Sequence, residues 1–489
     1  MNLQVERREL APGLSISRLL TGLWQIADME RDGRTLDLDA TARSMGAYVE
    51  AGFTTFDMAD HYGSAEEVAG RFNVARKTSV DGAAEFGCQL LTKWVPEPGP
   101  IAREAVRAAV QRSLDRLRAT RIDLLQLHAW RFSHPIWIDC LVFLQELQEE
   151  GLIAHLGLVN FDTAHLRIAL SSGFRVVSNQ VSFSLLDQRP RGRMAALCLE
   201  RGIQLLAYGT LAGGFLTEKW LTRPAPADSE LVTWSQMKYA RFVQASGGWH
   251  GLQRVLQATH EIAQKHGVSM ANVACRAILD ESSVAGIIVG ARLGERAHLE
   301  DNARVFSFAL DDDDRSALAA ARGALLPIPG DCGDEYRRPP FLTASGDLSH
   351  HVEEFPPPYS TRTQADRTLC LSGTPWEPLA GYSRAVRKGN RISVSGTTAS
   401  HRERAIGGQD AGAQTHFVID KLEGALESLG GRLEDVVRTR VFVRDVACWE
   451  QVARAHGERF GHILPANTLV EAALVSDEAL VEIEADAEV

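Results

Sequence analysis

Cysteine is sparse and scattered in this sequence. The seven residues Cys88, Cys140, Cys198, Cys275, Cys332, Cys370 and Cys448 are odd in number and include no C-x-x-C pair, so neither a disulfide framework nor a zinc site is indicated. Free thiols, mostly in the core, are expected, and no metal. Long apolar runs are missing too: none approaches the roughly 18 residues of a membrane span. The opening MNLQVERREL carries acids where a signal peptide would carry its apolar segment. A soluble cytoplasmic protein without a membrane partner is the expectation. An excess of positive charge is likewise absent. With a net charge of -11 at pH 7, the chain has no electrostatic reason to bind nucleic acid, while a local basic pocket for a phosphate stays compatible with it. No G-x-G-x-x-G follows the first strand-like run, which argues against a Rossmann dinucleotide site.

What is present is ordinary globular composition, 45% hydrophobic and 24% charged, over a chain too long for one core. At roughly 100 to 200 residues per domain, two or three domains are expected. Strand-like runs RLLTGLW, FTTFDMA, FGCQLLTKW, IDLLQLHA, IAHLGLVNF, VVSNQVSF, IQLLAYG and VAGIIVG alternate with amphipathic stretches such as EAVRAAVQRSLDRL. Eight such units predict a (β/α)8 TIM barrel over residues 1–325, with its active site at the C-terminal ends of the strands. The longest interruption, about Thr217 to His250 after the seventh strand, is a candidate lid. Residues 326–371, with PIPGDCGDEYRRPP and EEFPPPYS, are expected to be a proline-rich linker in which Phe341 and Leu342 are candidates for docking on a domain. Residues 372–489 alternate strands with two helices and predict a small α+β domain.

Polar residues at the ends of strands are where a barrel places catalysis. Asp57 and Tyr62 follow the second strand, Lys93 closes the third and His128 the fourth. Taken singly, each has a structural explanation: a solvated turn, a half-buried phenol, a snorkelling lysine, a hydrogen-bonded core histidine. Together they form a coherent acid–base set. A phenol with an ordinary pKa near 10 is a poor acid, an ammonium beside it favours phenolate, and a carboxylate holds that ammonium charged and in place. A histidine can orient a carbonyl oxygen. The set suits carbonyl reduction, in which hydride comes from a cofactor. Trp24, His61, Trp94 and Trp130 lie at or beyond strand ends and are candidates for the substrate pocket.

With GFTTFDMADHYGSAEE, LLTKW, SLDRLRATRIDLLQLH, GLVNF, SNQVSFS, AYGTLAGGFL and GIIVGARLGERAHLEDN in this order, residues 10 to 325 resemble the aldo/keto reductases. The resemblance implies the catalytic tetrad Asp57, Tyr62, Lys93 and His128, with Tyr62 as proton donor. It implies nicotinamide contacts from Asn160 and Gln180, Tyr208 stacked on the ring, Arg292 at a 2'-phosphate and Asn302 at the adenine. Val159 departs from the serine that many relatives place before the asparagine. Arg292 favours NADP(H), since a guanidinium matches a phosphate in charge and geometry; His298, where some relatives have a second arginine, keeps NAD(H) as the alternative. The implied partner is a small carbonyl or alcohol.

Residues 372–489 resemble the Rid (reactive intermediate deaminase) family through GYSRAVRKGNRISVSGTTA, LEDVVRTRVFVRD and PANTLVEAALVSDEALVEIEADA. That implies a chorismate-mutase-like fold, a homotrimer, and a cleft to which Tyr382, Thr397, Thr398, Asn467 and Glu482 contribute. Asn467 stands where the family's carboxylate-binding arginine is expected, and a neutral amide lacks that bidentate grip. The fusion suggests a reductase joined to a domain that binds or hydrolyses a reactive imine or carbonyl metabolite. The alternatives are a domain serving only trimerisation or metabolite binding, and imine or enamine hydrolysis as the main reaction.

Overall fold

The computed structural model describes residues 4–78, 87–97, 99–337 and 355–489. The chain opens with a hairpin, β1 (Arg7–Ala11) and β2 (Leu14–Ser17). Eight parallel strands follow: β3 (Leu19–Gly22), β4 (Thr55–Asp57), β5 (Gln89–Trp94), β6 (Ile122–Leu127), β7 (Ile153–Val159), β8 (Val176–Ser182), β9 (Gln204–Tyr208) and β10 (Val284–Gly290). β10 pairs with both β9 and β3, which closes the barrel. Leu10, Ala11, Leu14 and Ile16 of the hairpin share a buried cluster with Leu20, Leu91, Leu124 and Leu206. Arg8 bonds Gln204 at the start of β9 (2.8 Å), so the hairpin plugs the end of the barrel away from the strand C-termini. Only the C-terminal mouth is left for a ligand.

The covering helices follow the apolar spacing. In Arg103–Leu117 the buried residues Val106, Ala109, Val110, Ser113, Leu114 and Leu117 recur at three- and four-residue intervals, one face of a helix. The long interruption after β9 folds into short turns and the helices Trp234–Ala245 and Gly248–His266. It reaches across the mouth: Trp234 packs on Trp24 (5.7 Å between ring centroids), and its backbone N–H donates to Asp28 (3.1 Å).

The second unit is a seven-stranded sheet in the order β11-β12-β13-β14-β19-β17-β18. Its strands are β11 (Ser360–Gln364), β12 (Arg367–Leu371), β13 (Ala385–Lys388), β14 (Arg391–Thr398), β17 (Val436–Val443), β18 (Ala466–Glu471) and β19 (Val481–Glu488); β15 (Ser400–His401) and β16 (Arg404–Ala405) form a separate small ladder. The helices Ala411–Ser428 and Trp449–Phe460 cover it.

The stretch expected as a linker differs from that expectation in two places. β11 and β12 pair with each other and, through β13, join the sheet. Every residue of β11 is exposed, so its sequence carries no alternation that would reveal a strand. Nearer the barrel, residues 331–337 fold into the barrel mouth, where Cys332, Asp334 and Glu335 are buried. Phe341 and Leu342 lie outside the described residues.

The two units are docked. Helix Ala411–Ser428 packs on barrel helix Thr163–Ser171, Ser133 Oγ donates to Glu427 (2.7 Å), and His401 bonds Asp139 (3.0 Å). A methyl group at Gly424 would stand 2.1 Å from the Ser133 carbonyl oxygen, so only glycine permits this approach. One apolar cluster runs through both units, with Trp137 edge-on to Phe417.

Candidate active site

β4 ends on Asp57, and Lys93 is the penultimate residue of β5, so their register puts both at the mouth. Lys93 Nζ donates to Asp57 Oδ2 (2.7 Å) and to the Met58 carbonyl (2.8 Å). The other oxygen of Asp57 accepts from Gln180 Nε2 (2.8 Å) and, at 3.4 Å, from Gln126. Tyr62 reaches the same point from the loop after β4, its ring centroid 4.9 Å from Lys93 Nζ. Burial pulls Lys93 below the usual lysine range, although Asp57 opposes the shift. The expectation that the carboxylate simply keeps this lysine charged is therefore modified: desolvation outweighs the carboxylate's pull.

His128 follows β6 and is buried. Its Nε2 accepts from Trp130 Nε1 (2.8 Å) and lies 3.2 Å from Asn160 Nδ2. An indole N–H only donates, so Nε2 is the acceptor, the ring proton sits on Nδ1 and the imidazole is neutral. Burial, followed by nearby positive groups, drives its pKa well below the ordinary value.

Asp57, Tyr62, Lys93 and His128 all line a cavity of about 1240 Å³, larger than the roughly 300–1,000 Å³ of a typical small-molecule pocket. Asn160, Gln180, Tyr208, Arg292 and Asn302 line it as well. Asn160 has a positive φ of 56°, and its Oδ1 accepts from the Tyr208 hydroxyl (2.8 Å). Gln180 commits its NH2 to Asp57 and Gln126, which turns its carbonyl oxygen to the service of a ligand donor. Arg292 is held by Asp28 and Glu295, both at 2.9 Å, and Arg296 and His298 stand beside it on the wall. Amide groups at one end and cations at the other match a nicotinamide dinucleotide in chemical type.

Trp24, His61 and Trp130 line the cavity. Trp94 does not: it is buried within the apolar core. His61 pairs with its neighbour Asp60 (2.8 Å). Two groups at the mouth escape sequence reasoning. Lys238, from the helix Trp234–Ala245 within the candidate lid, donates to the Tyr336 hydroxyl (2.6 Å), and Tyr336 stacks on Trp130. Glu335 is buried and accepts from Tyr208 (3.1 Å) and Arg189 (2.8 Å). Burial opposes its charge, but Arg189 and Lys238 hold the carboxyl below its ordinary range. Nothing in DCGDEYRRPP distinguishes Glu335 and Tyr336 from a solvated turn.

In the second unit, Arg384, not foreseen from sequence, donates to Thr397 Oγ1 (2.8 Å) and the Tyr382 hydroxyl (3.3 Å). Glu482 faces Thr398 in the strand register, and a methyl at Gly396 would stand 2.1 Å from its carboxylate. Tyr382, Thr397, Thr398 and Glu482 are thus brought together, with burial raising the Glu482 pKa. Asn467 is not among them. It lies on β18, on the far side of β17, and donates to Thr439 (2.9 Å).

Comparison with known proteins gives these sites a context. Residues 18–322 match the model of the aldo/keto reductase family. The chain belongs to the aldo/keto reductase family. Curated relatives of this aldo/keto reductase barrel include the chloroplastic pyridoxal reductase of Arabidopsis thaliana, 26% identical over 323 residues, or 63% of this chain and 84% of the relative. Another is aflatoxin B1 aldehyde reductase member 2 of Rattus norvegicus, 28% identical over 38% of this chain; the match spans about half, 52%, of that relative. The solved glycerol dehydrogenase of Gluconobacter oxydans shares the fold at 23% identity, with a TM-score of 0.54, 68% of this chain and 98% of that one. Residues 373–489 match the model described as Endoribonuclease L-PSP. A solved YjgF-family protein of Mycobacterium tuberculosis is 45% identical over 25% of this chain and 99% of its own, with a TM-score of 0.23 against the whole chain. The protein is an aldo/keto reductase barrel joined to a Rid-family domain. Among the described residues, no helix is long and apolar enough to cross a membrane.

Proposed function

We propose that the barrel interconverts a carbonyl compound and its alcohol with NADP(H), or alternatively NAD(H), as hydride carrier. The observation that carries this reading is the convergence of Tyr62, the buried Asp57–Lys93 pair and neutral His128 on the cavity that Asn160, Gln180, Tyr208 and Arg292 also line. The names of two relatives, a pyridoxal reductase and an aldehyde reductase, support the same reaction class. Asn160 and the Gln180 carbonyl would hold the carboxamide, Tyr208 the ring face, Arg292 a 2'-phosphate and Asn302 the adenine. The bound nicotinamide supplies the hydride. Tyr62 gives its hydroxyl proton to the carbonyl oxygen, and Lys93, oriented by Asp57, favours the phenolate left behind. With Nε2 accepting from Trp130, neutral His128 has only its Nδ1–H with which to orient a carbonyl oxygen.

The test is a panel of neutral and carboxylate-bearing aldehydes and ketones, followed by nicotinamide absorbance with NADPH and NADH. Tyr62→Phe is expected to lower reduction by about 10²- to 10⁴-fold with NADPH binding nearly unchanged. Undiminished reduction in that variant would sink the tetrad assignment.

For the Rid-family domain, the position of Asn467 favours assembly or metabolite binding over imine hydrolysis. The β17–β18 end of the sheet also exposes Val437, Leu464 and Val470, apolar surface suited to a copy of the chain. A trimer is the expected state. Light scattering of the full-length protein should give the mass of three chains, and a monomer mass would remove this reading.

A further inference from the structure

The contact between the two units contains a buried chain of charges that leads to the cofactor side of the barrel. It starts in the Rid-family domain, where Arg459 donates to Asp420 Oδ1 (2.5 Å) and to Glu423 (2.6 Å). Asp420 Oδ2 accepts from His165 Nε2 of the barrel (2.9 Å), and His165 Nδ1 bonds Asp162 at 2.7 Å. Carboxylates on both ring nitrogens make this histidine an imidazolium, since each nitrogen must donate. Asp162 also caps the helix that carries His165 and faces Arg337 Nη2 at 3.4 Å. Arg337 in turn donates to the Asn160 carbonyl (2.8 Å) and the Cys332 carbonyl (3.0 Å).

Packing reinforces the path. Phe132 stacks on the His165 ring (3.6 Å) and has the Arg337 guanidinium 4.6 Å from its ring centroid. A methyl at Gly333 would stand 2.0 Å from the Asn160 carbonyl oxygen, so the strap 331–337 lies directly against that peptide. Asp162, His165, Asp420 and Arg459 are buried. Asn160 sits at the end of the path in a left-handed conformation, which a non-glycine residue keeps only where its surroundings enforce it.

We propose that the Rid-family domain is a working part of the reductase site: Asp420, acting through His165, Asp162 and Arg337, holds Asn160 and the strap in the arrangement that binds the nicotinamide. Asp420, His165 and Arg337 are positioning residues. The inference rests on the nicotinamide reading of Asn160. It differs from simple interface stability because other interface pairs, such as Glu427 with Arg131 and Ser133, have no such path to Asn160.

The experiment compares full-length wild type with Asp420→Asn, Arg337→Met and Glu427→Gln. NADPH affinity is read by tryptophan fluorescence quenching, and amide hydrogen exchange is read over residues 158–162 and 331–337. Asp420→Asn and Arg337→Met are expected to weaken NADPH binding about tenfold and to speed exchange in both segments. Glu427→Gln should change binding by less than about twofold. Equal losses in all three variants, or none in Asp420→Asn, overturn the proposal. Arg337→Met leaves the domain interface itself untouched, so it decides the matter if Asp420→Asn does not fold; unchanged binding and exchange in Arg337→Met also overturn it. If wild type binds neither NADPH nor NADH, the reductase reading and this one fall together; tight binding in wild type that is unchanged in Asp420→Asn and Arg337→Met removes this one alone.

Discussion

Asp57 shows how much a single side chain does at this site. It faces a lysine whose burial pulls it toward neutrality, and it is the carboxylate that opposes that pull. In Asp57→Asn the lysine keeps its desolvation and loses its counter-ion. Stability should drop by about 3–5 kcal/mol, the cost of breaking a buried pair, seen as a lower urea midpoint. Reduction should fall with it, because a neutral Lys93 no longer favours the Tyr62 phenolate. At this scale the sequence was readable where a polar residue ended an apolar run, as at Asp57, Lys93 and His128. It was unreadable at Glu335, Tyr336 and Arg337, whose neighbours are glycines, prolines and charges. Trp94 stands one residue beyond Lys93, and alternation along the strand turns it into the core instead of the cavity.

Elements explain why those unreadable residues matter. The strap 331–337 has a helix of only four residues, Asp334–Arg337, too short to leave a periodic trace. It is held by long-range pairs: Glu335 with Arg189 and Tyr208, Tyr336 with Lys238, Arg337 with Asn160. Glu335→Gln keeps the shape and removes the charge. Arg189 retains Asp187 (2.7 Å), so a moderate cost of about 1–3 kcal/mol is expected in denaturant unfolding. Cofactor affinity should weaken alongside, because the Tyr208 hydroxyl loses a carboxylate acceptor. The barrel strands were legible because buried parallel strands read as continuous apolar runs. β11, exposed throughout, was not.

On the scale of the whole molecule, the two units share one apolar cluster and one buried charge chain. A single unfolding transition is therefore expected in place of two, to be checked by calorimetry against far-ultraviolet dichroism. Burial disfavours the charge on His165, but Asp162 and Asp420 outweigh it and raise its pKa to about 9. A folded-state value above the unfolded one means that the imidazolium contributes fully below an unfolded value near 6.5, and its contribution fades as pH rises through about 9. The urea midpoint should decline across that window in wild type. In Asp420→Asn the decline should be smaller and the midpoint at neutral pH lower. An identical slope in the two proteins would remove His165 as its source.

Local chemistry in the sequence determined the barrel, the order of its strands and the small α+β domain, and it pointed to Asp57, Tyr62, Lys93 and His128 as candidates. Apolar periodicity and chain order are enough for the barrel, since every barrel strand lies beside its neighbour in sequence. The tertiary structure alone decided that the supposed linker enters the active site, that Asn467 stands apart from Glu482, and that Asp420 reaches Asn160 through His165. Those relations join residues up to 260 positions apart, through Asp420 and Asn160. Each pairing offsets the cost of taking its charges out of water, a compensation that no local pattern encodes.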